Sequence, residues 1–285
     1  MNKIYKWYHG LSKQVHDSIA ISVTVVGLLS TILSILGISL GDIQGLNLYM
    51  RIGAVALAFI VVYVLAYMAI GKIFRESVNI TIRQTSVSIS CGDIFEAQEL
   101  RVIGCDTHFD TRIDDIVISK KSLHGQLVLE HGNKGEIDTA IEAEAKRLGL
   151  QKNNDGLYDF PLGTIVRYDS NVDNHTYLML AMSELNSDYE AHTNMAKFEL
   201  MLMKMWKEIS RVYALNDVVL PVLGTGIPRF DDGPKDKEDL LRCMLCTLNS
   251  SGVTLKSKVK VLIYGNIRDI PLYEYRNMFP TTLRR

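Results

Sequence analysis

Two long apolar runs open the chain, and a shorter period of alternation follows them. Ser18 to Leu40 carries no charged residue, and Leu48 to Ile70 is interrupted only by Arg51. Each run is 23 residues long, about 34 Å as a helix, and the hydrocarbon core of a bilayer is about 30 Å thick. Arg51 falls within the first turn of the second run, where a long side chain snorkels to the interface. The pattern predicts two transmembrane helices, 18–40 and 48–70. A signal peptide would have a shorter apolar region and a cleavage site, and neither is present. Gly41 to Asn47 holds Asp42 and no Lys or Arg, which fits a tight turn between antiparallel helices. Lys3, Lys6 and Lys13 precede the first run, and Lys72 and Arg75 follow the second. The positive-inside rule therefore puts both termini in the cytoplasm and only the turn outside.

Small residues in the first run, Gly27, Ser30, Ser34, Gly37 and Gly41, recur at spacings of 3 and 4 and share one helical face. Such a seam lets backbones approach in lipid. It serves either packing against the second span or association between subunits. No ionisable residue lies mid-span, which argues against a transport pathway.

From about Ser77 the pattern becomes that of an α/β domain. Val78–Ile82 and Val87–Cys91 alternate as strands around a hairpin turn at Arg83–Ser86, and Leu100–Cys105 is a third strand. A polar stretch, Asp106 to Asp115, then leads to a helix opening near Ser119–Gln126. Glu136–Leu148 reads as a helix, Gly163–Tyr168 and Thr176–Met182 as strands, and Glu190–Tyr213 as a long amphipathic helix. Met201, Leu202, Met205 and Trp206 form the core stripe of that helix. Val218–Leu223 is a strand, Lys235–Leu248 a helix, Lys260–Tyr264 the last strand and Pro271–Met278 the last helix. Strands alternating with helices predict three α/β/α layers, a core that these 209 residues can bury alone. The domain limits are thus 1–17, 18–40, 48–70 and 77–285.

Net charge is −1, from 31 basic and 32 acidic residues, and no basic run is interleaved with aromatics. Nucleic acid is therefore not an expected partner. Cys91, Cys105, Cys243 and Cys246 include one C-x-x-C, within a predicted helix and without a second pair or nearby histidines. The expectation is buried, reduced thiols and no metal site.

Candidate chemistry concentrates where strands meet loops. Leu223-Gly224-Thr225-Gly226-Ile227 ends a strand with two glycines ahead of a helix, an arrangement that offers backbone N–H groups to phosphate. Asp93, beside Ile94, either caps a helix or accepts from a ligand. Phe230 either stacks on a ring or fills core. In open α/β sheets ligands sit beyond the carboxyl ends of the strands, so the 92–94, 105–115, 224–230 and 265–266 loops are the candidates to share that edge.

These pieces, in this order, resemble a macro domain, the ADP-ribose-binding module. Gly92-Asp93-Ile94-Phe95 is similar to the family's G-D-I segment, whose Asp bonds the adenine amino group. Leu220 to Ile227 resembles its second phosphate loop. The likeness covers roughly Val78 to Met278. The family's N-A-A-N strand end is replaced by Val102-Ile103-Gly104-Cys105-Asp106, which leaves Ser122, Leu123, His124 and Gly125 as the counterpart of the first loop. The hydrolytic asparagine has no match, so the resemblance implies binding rather than catalysis. A membrane-tethered hydrolase of ADP-ribose derivatives is the alternative.

Two spans joined to such a domain resemble the macro-domain effectors of type II Thoeris anti-phage systems. That resemblance implies a membrane-bound defence effector of the bacterial inner membrane. It implies a signal, histidine–ADP-ribose, made by a TIR-domain enzyme, with homo-oligomer assembly, attack on membrane lipid and cell death on binding. It also implies no cofactor and, on the adenine side, Asn266 beside Asp93.

Overall fold

The structure is a computed structural model describing residues 13–36, 47–73, 77–115, 118–186, 190–226, 229–265, 270, 272–275 and 278–279. The chain divides into two compact units, Met1–Val78 with Pro271–Met278, and Asn79–Ile270 with Phe279–Arg285.

In the first unit, α1 runs Lys13–Ile35 and α2 runs Leu48–Ile73, and the two pack on each other. Both are long and apolar enough to cross a membrane by length and composition. Asn47 opens α2, its side chain accepting from the Met50 N–H at 2.9 Å. Apolar side chains such as Leu28, Leu29, Leu57 and Leu65 are more than half exposed, the inverse of a soluble helix. Gly27, Ser30 and Ser34 are exposed too, and a Cβ added at Gly27 would meet nothing within 4 Å. The partner helix α2 therefore does not close over this part of the small-residue seam. Gly37, Gly41, the connecting turn and the flanking Lys3, Lys6 and Arg75 lie outside the described residues.

The second unit is built on a nine-stranded mixed sheet. Its strands are β1 (Ser77–Ile82), β2 (Thr85–Cys91), β3 (Leu100–Asp106), β4 (Ile165–Asp169), β5 (Thr176–Leu185), β6 (Ala191–Thr193), β7 (Val218–Pro221), β8 (Arg229–Phe230) and β9 (Val259–Ile263). The order is β1-β2-β9-β7-β3-β5-β6-β8, with β4 antiparallel on β5. Strands β2, β9, β7, β3 and β5 are mutually parallel. The edge strand β1 alternates exposed and buried residues, whereas β3 is buried at nearly every position. That contrast is expected where helices cover both faces of the central strands.

The helices are α3 (Leu123–Gln126), which continues as a π-helical turn over Leu127–His131, α4 (Lys134–Leu148), α5 (Met195–Val212), α6 (Lys237–Ser250) and a short α7 (Leu272–Tyr275) in the first unit. On one face, Ile137, Ile141 and Ala145 of α4 join Ile103 and Cys105 of β3 and Met179 and Ala181 of β5 in one core cluster. Strand alternation sends Val102, Leu178 and Leu180 to the other face, where α5 packs on β4 and β5. Met201, Leu202, Met205 and Trp206 are buried there, and Trp206 Nε1 donates to Thr247 Oγ1 of α6 at 3.2 Å. Asn133, Asn194 and Asp236 cap α4, α5 and α6, and Gly149 ends α4 in the left-handed region at φ 70°.

Two expectations change. The predicted helix from Glu190 begins only after the Asn194 cap, because 191–193 pairs with β5 and with β8 as a strand. The cysteines are free, but only Cys105 and Cys243 are buried, while Cys91 and Cys246 are exposed. Burial raises the Cys105 thiol well above its usual range and Cys243 to about 12, so neither is a thiolate at neutral pH.

Candidate ligand-binding site

The parallel strands end side by side at Cys91, Ile263, Pro221, Asp106 and Leu185. Beyond that edge lies a cavity of about 640 Å³, within the roughly 300–1,000 Å³ of small-molecule sites. Every one of these strand ends contributes to its wall, and 118–126 supplies the remaining side.

The β2 end supplies Gly92, Asp93 and Ile94. Asp93 caps a single 3-10 turn, its Oδ1 accepting from the Phe95 N–H at 2.9 Å. Capping occupies one carboxylate oxygen, and Oδ2 has no bond to protein among the described residues. The cap and ligand readings of Asp93 are therefore compatible. A Cβ at Gly92 would come within 3.1 Å of Leu262, so the wall is close-packed here.

The β7 end supplies Leu223, Gly224, Thr225 and Gly226. Gly224 has φ +84°, and a Cβ there would press on Leu240 and Phe198 at 3.3 Å. Leu223 N–H turns inward to Met244 Sδ at 3.3 Å, and Thr225 Oγ1 donates to Val222 O at 2.9 Å. The N–H groups of Gly224 and Gly226 meet no protein acceptor among the described residues. Strand β8 rather than a helix follows this turn, and the turn's free amides at the strand end make an anion cradle by themselves.

The β3 and β5 ends supply Gly104, Cys105, Asp106, Met182, Ser183 and Leu185. A register shift pairs Cys105 with Ala181 but Asp106 with Ser183. This bulge brings both Met182 and Ser183 to the cavity, which strict alternation forbids. A Cβ at Gly104 would fall 2.9 Å from Met182 Sδ, so glycine makes room for that side chain.

Ser122, Leu123 and His124 line the cavity from α3. The Ser122 side chain caps α3 by accepting from Gly125 N–H. Gly125 itself is not in the wall: a Cβ there would lie 2.2 Å from Ser119 O, so it serves close packing instead. His124 is 3% exposed, with Nδ1 3.7 Å from Asp106 Oδ2. Burial lowers its pKa against the opposing pull of Asp106 and Asp110, keeping the ring neutral at pH 7. Asp110 is held low because Arg112, bonded to its carboxylate, outweighs its burial.

Phe230 does not line the cavity; its ring meets Phe198 edge-on at 5.6 Å, the core-filling alternative. Ile227 and Asn266 lie outside the described residues. The 105–115 and 224–230 loops do bring Asp106 and Arg229 to the wall, whereas Met182 and Ser183 carry no local sequence signal, since the bulge in β3–β5 pairing places them. Charge in the wall is mostly negative: Asp93, Asp106, Asp115 and Glu190 against Lys121 and Arg229. Arg229 is already engaged, at 2.7 Å from Glu190. No cluster of three or more potential metal ligands occurs among the described residues.

A mixed sheet between helical layers, with a glycine cradle at its carboxyl edge, defines a macro-type ligand-binding module. The family described as "Thoeris protein ThsA, Macro domain" matches residues 87–264, and the chain belongs to that family. Thoeris protein ThsA of Bacillus amyloliquefaciens (strain Y2) is 28% identical over 206 residues, 69% of this chain and 68% of that protein. Among solved structures, a mutant macrodomain of Oceanobacillus iheyensis with ADPR is 14% identical, with TM-score 0.46, covering 70% of this chain and 96% of its own. The same organism's macrodomain with ADP is also 14% identical, with TM-score 0.44 and coverage of 70% and 94%.

Proposed function

We propose that this chain is a membrane-bound anti-phage effector whose macro domain senses an ADP-ribose-derived signal and, once loaded, assembles and disrupts the membrane. The observation that carries the reading is the pair of N–H groups at Gly224 and Gly226, without an acceptor among the described residues and set between Asp93 and the Asp106–His124 wall. Strands β2 and β3 are three steps apart in the sheet, about 14 Å at the usual strand spacing. A nucleotide laid across that edge puts its base at Asp93, its diphosphate on the cradle and its outer sugar beyond. Backbone amides neutralise a diphosphate without lysines, which suits a wall whose arginine is already paired.

Family membership supports the anti-phage role, and the resemblance drawn from the sequence supports histidine–ADP-ribose from a TIR-domain enzyme as the signal. The two apolar helices support placement in the bacterial membrane, and the lysines and arginine flanking them in the sequence support the domain's place in the cytoplasm. The uncovered face at Gly27, Ser30 and Ser34 supports association between subunits. A ligand shifts such an assembly only through its differential affinity for the two states.

The test is full-length protein in lipid, titrated with ADP-ribose and with histidine–ADP-ribose while particle mass and dye release from liposomes are followed. Saturable binding with growth in mass and leakage is expected. Binding without either would sink the effector reading. Ligand recovered as hydrolysis products would favour the membrane-tethered hydrolase instead.

A further inference from the structure

The imidazole in the cavity wall, that of His124, has an unmet hydrogen bond. His124 is 3% exposed, and its Nε2 is buried with no partner among the described residues. Native proteins seldom leave a buried polar nitrogen unpaired unless a ligand or water completes it. The other ring nitrogen, Nδ1, stands 3.7 Å from Asp106 Oδ2. Asp106 is fixed in turn, Oδ1 accepting from the His108 N–H at 2.7 Å and Oδ2 from the Asp110 N–H at 3.3 Å. A carboxylate facing Nδ1 favours the proton on that nitrogen, which leaves Nε2 as an acceptor. Asp110, the next carboxylate, is ion-paired with Arg112 and acts on the ring through its charge, with no bond to it among the described residues.

Position adds the second constraint. His124 and Asp106 lie at the β3 end and Asp93 at the β2 end, with β9 and β7 between them and the glycine cradle on β7. Whatever His124 meets therefore lies past the cradle, seen from Asp93.

We propose that His124 is the specificity-determining residue of this pocket: its Nε2 accepts a hydrogen bond from an O–H or N–H that the ligand carries beyond its diphosphate. The proposal rests on the nucleotide-binding reading given above and adds which part of the ligand is selected. A site built to bond a polar group rejects the analogue that lacks it, because the buried acceptor is then left unsatisfied. ADP, which ends at the diphosphate, is accordingly bound more weakly than ADP-ribose.

Calorimetry on the full-length protein in lipid nanodiscs, with ADP-ribose and ADP as probes, tests this. In His124→Phe, affinity for ADP-ribose is expected to fall about tenfold, the size of one lost hydrogen bond, with ADP affinity unchanged. His124→Gln, which keeps an acceptor, is expected to recover part of the loss. Unchanged ADP-ribose affinity in His124→Phe would overturn the proposal. So would an equal loss of both ligands in both variants, the mark of a collapsed wall. Failure of the wild type to bind either probe would remove the nucleotide-binding reading, and this inference with it.

Discussion

The ring of Phe95 lies flat against the imidazole of His131, with centroids 4.2 Å apart and planes 7° from parallel. Phe95 sits two residues after Asp93, and His131 ends the π-helical turn that follows α3, so one stack joins two walls of the cavity. Behind it, Asp173 Oδ2 meets His131 Nδ1 at 3.2 Å, Arg101 Nη1 at 3.2 Å and the Tyr177 hydroxyl at 2.5 Å. Arg101 is 1% exposed, and its other hydrogen bonds run to Ala97 O and, at 2.7 Å, to the Tyr177 hydroxyl. Removing the carboxylate would strand a buried guanidinium, which costs about 3–5 kcal/mol. Asp173→Ala is therefore expected to lower the melting temperature by about 6–20 °C, at about 2–4 °C per kcal/mol for a domain of this size. Thermal unfolding followed by circular dichroism checks it; a melting temperature within a degree of wild type would show the cluster to be dispensable.

Asp93 offers a cleaner separation of fold from binding. In Asp93→Asn a side-chain oxygen still caps Phe95, but an amide NH2 replaces the free carboxylate oxygen. Stability is expected to hold while nucleotide affinity drops at least about tenfold, the worth of one charge-assisted hydrogen bond. Asp93→Ala should lose that affinity and, in addition, about 1 kcal/mol of capping. Equal ligand affinity in wild type and Asp93→Asn would reduce Asp93 to a cap.

The two glycines of the cradle should fail in different ways. Gly224 combines φ +84° with neighbours at 3.3 Å, so Gly224→Val strains both backbone and packing and should lower the melting temperature. A Cβ at Gly226 meets nothing within 4 Å. Gly226→Glu should fold with wild-type stability and lose both ligand binding and cell toxicity, since it sets a carboxylate beside the phosphate site. Toxicity that survived this change would break the link between pocket and effect.

Two histidines predict opposite pH responses. His124, with a folded pKa below the ordinary 6.5, takes up its proton more readily when unfolded. It leaves stability intact above pH 6.5 and subtracts from it as pH falls below that value. His192 is raised, first by its hydrogen bond to Asp231 and then by Glu190, so its contribution is complete below pH 6.5 and fades as pH rises through its folded pKa. Melting temperatures between pH 5 and 8 should therefore flatten on the acid side in His124→Phe. In His192→Phe the loss relative to wild type should be larger at pH 5 than at pH 8. A pH-independent offset in both variants would contradict these assignments.

Salt should matter little to binding. The lining guanidinium of Arg229 already pairs with Glu190 at 2.7 Å, and the proposed phosphate contacts are amides. Affinity for ADP-ribose is expected to change less than about threefold between 50 mM and 200 mM salt, because few counterions are displaced. A steep salt dependence would point to Lys121 or Arg229 as the true phosphate ligands.

Local pattern alone determined much of this protein. The two apolar runs were legible from composition as far as the structure describes them, over 18–35 and 48–70, since a segment long and apolar enough for lipid has few ways other than a helix to bond its backbone. The alternation of β1 and β2, the Met201–Trp206 stripe and the Leu223–Gly226 turn were equally readable, since each depends on neighbours a few residues away. Asp93 was legible by type and place as a cap, and the cap uses one carboxylate oxygen, which leaves the other for the proposed ligand contact. What lay beyond reach were relationships across the sheet. Strand β6 exists through partners on β5 and β8, the bulge at Cys105/Asp106 places Met182, and Gly125 answers to Ser119 rather than to a ligand. Phe230 went to Phe198 because a hydrophobic ring is satisfied by whichever apolar surface the fold brings near. The pairing of Asp106 with His124, 18 positions apart in sequence and 3.7 Å in space, is of the same kind. Tertiary structure alone decides which nitrogen of that imidazole is faced by a carboxylate and which is left open, because burial and long-range contact, not local preference, set both.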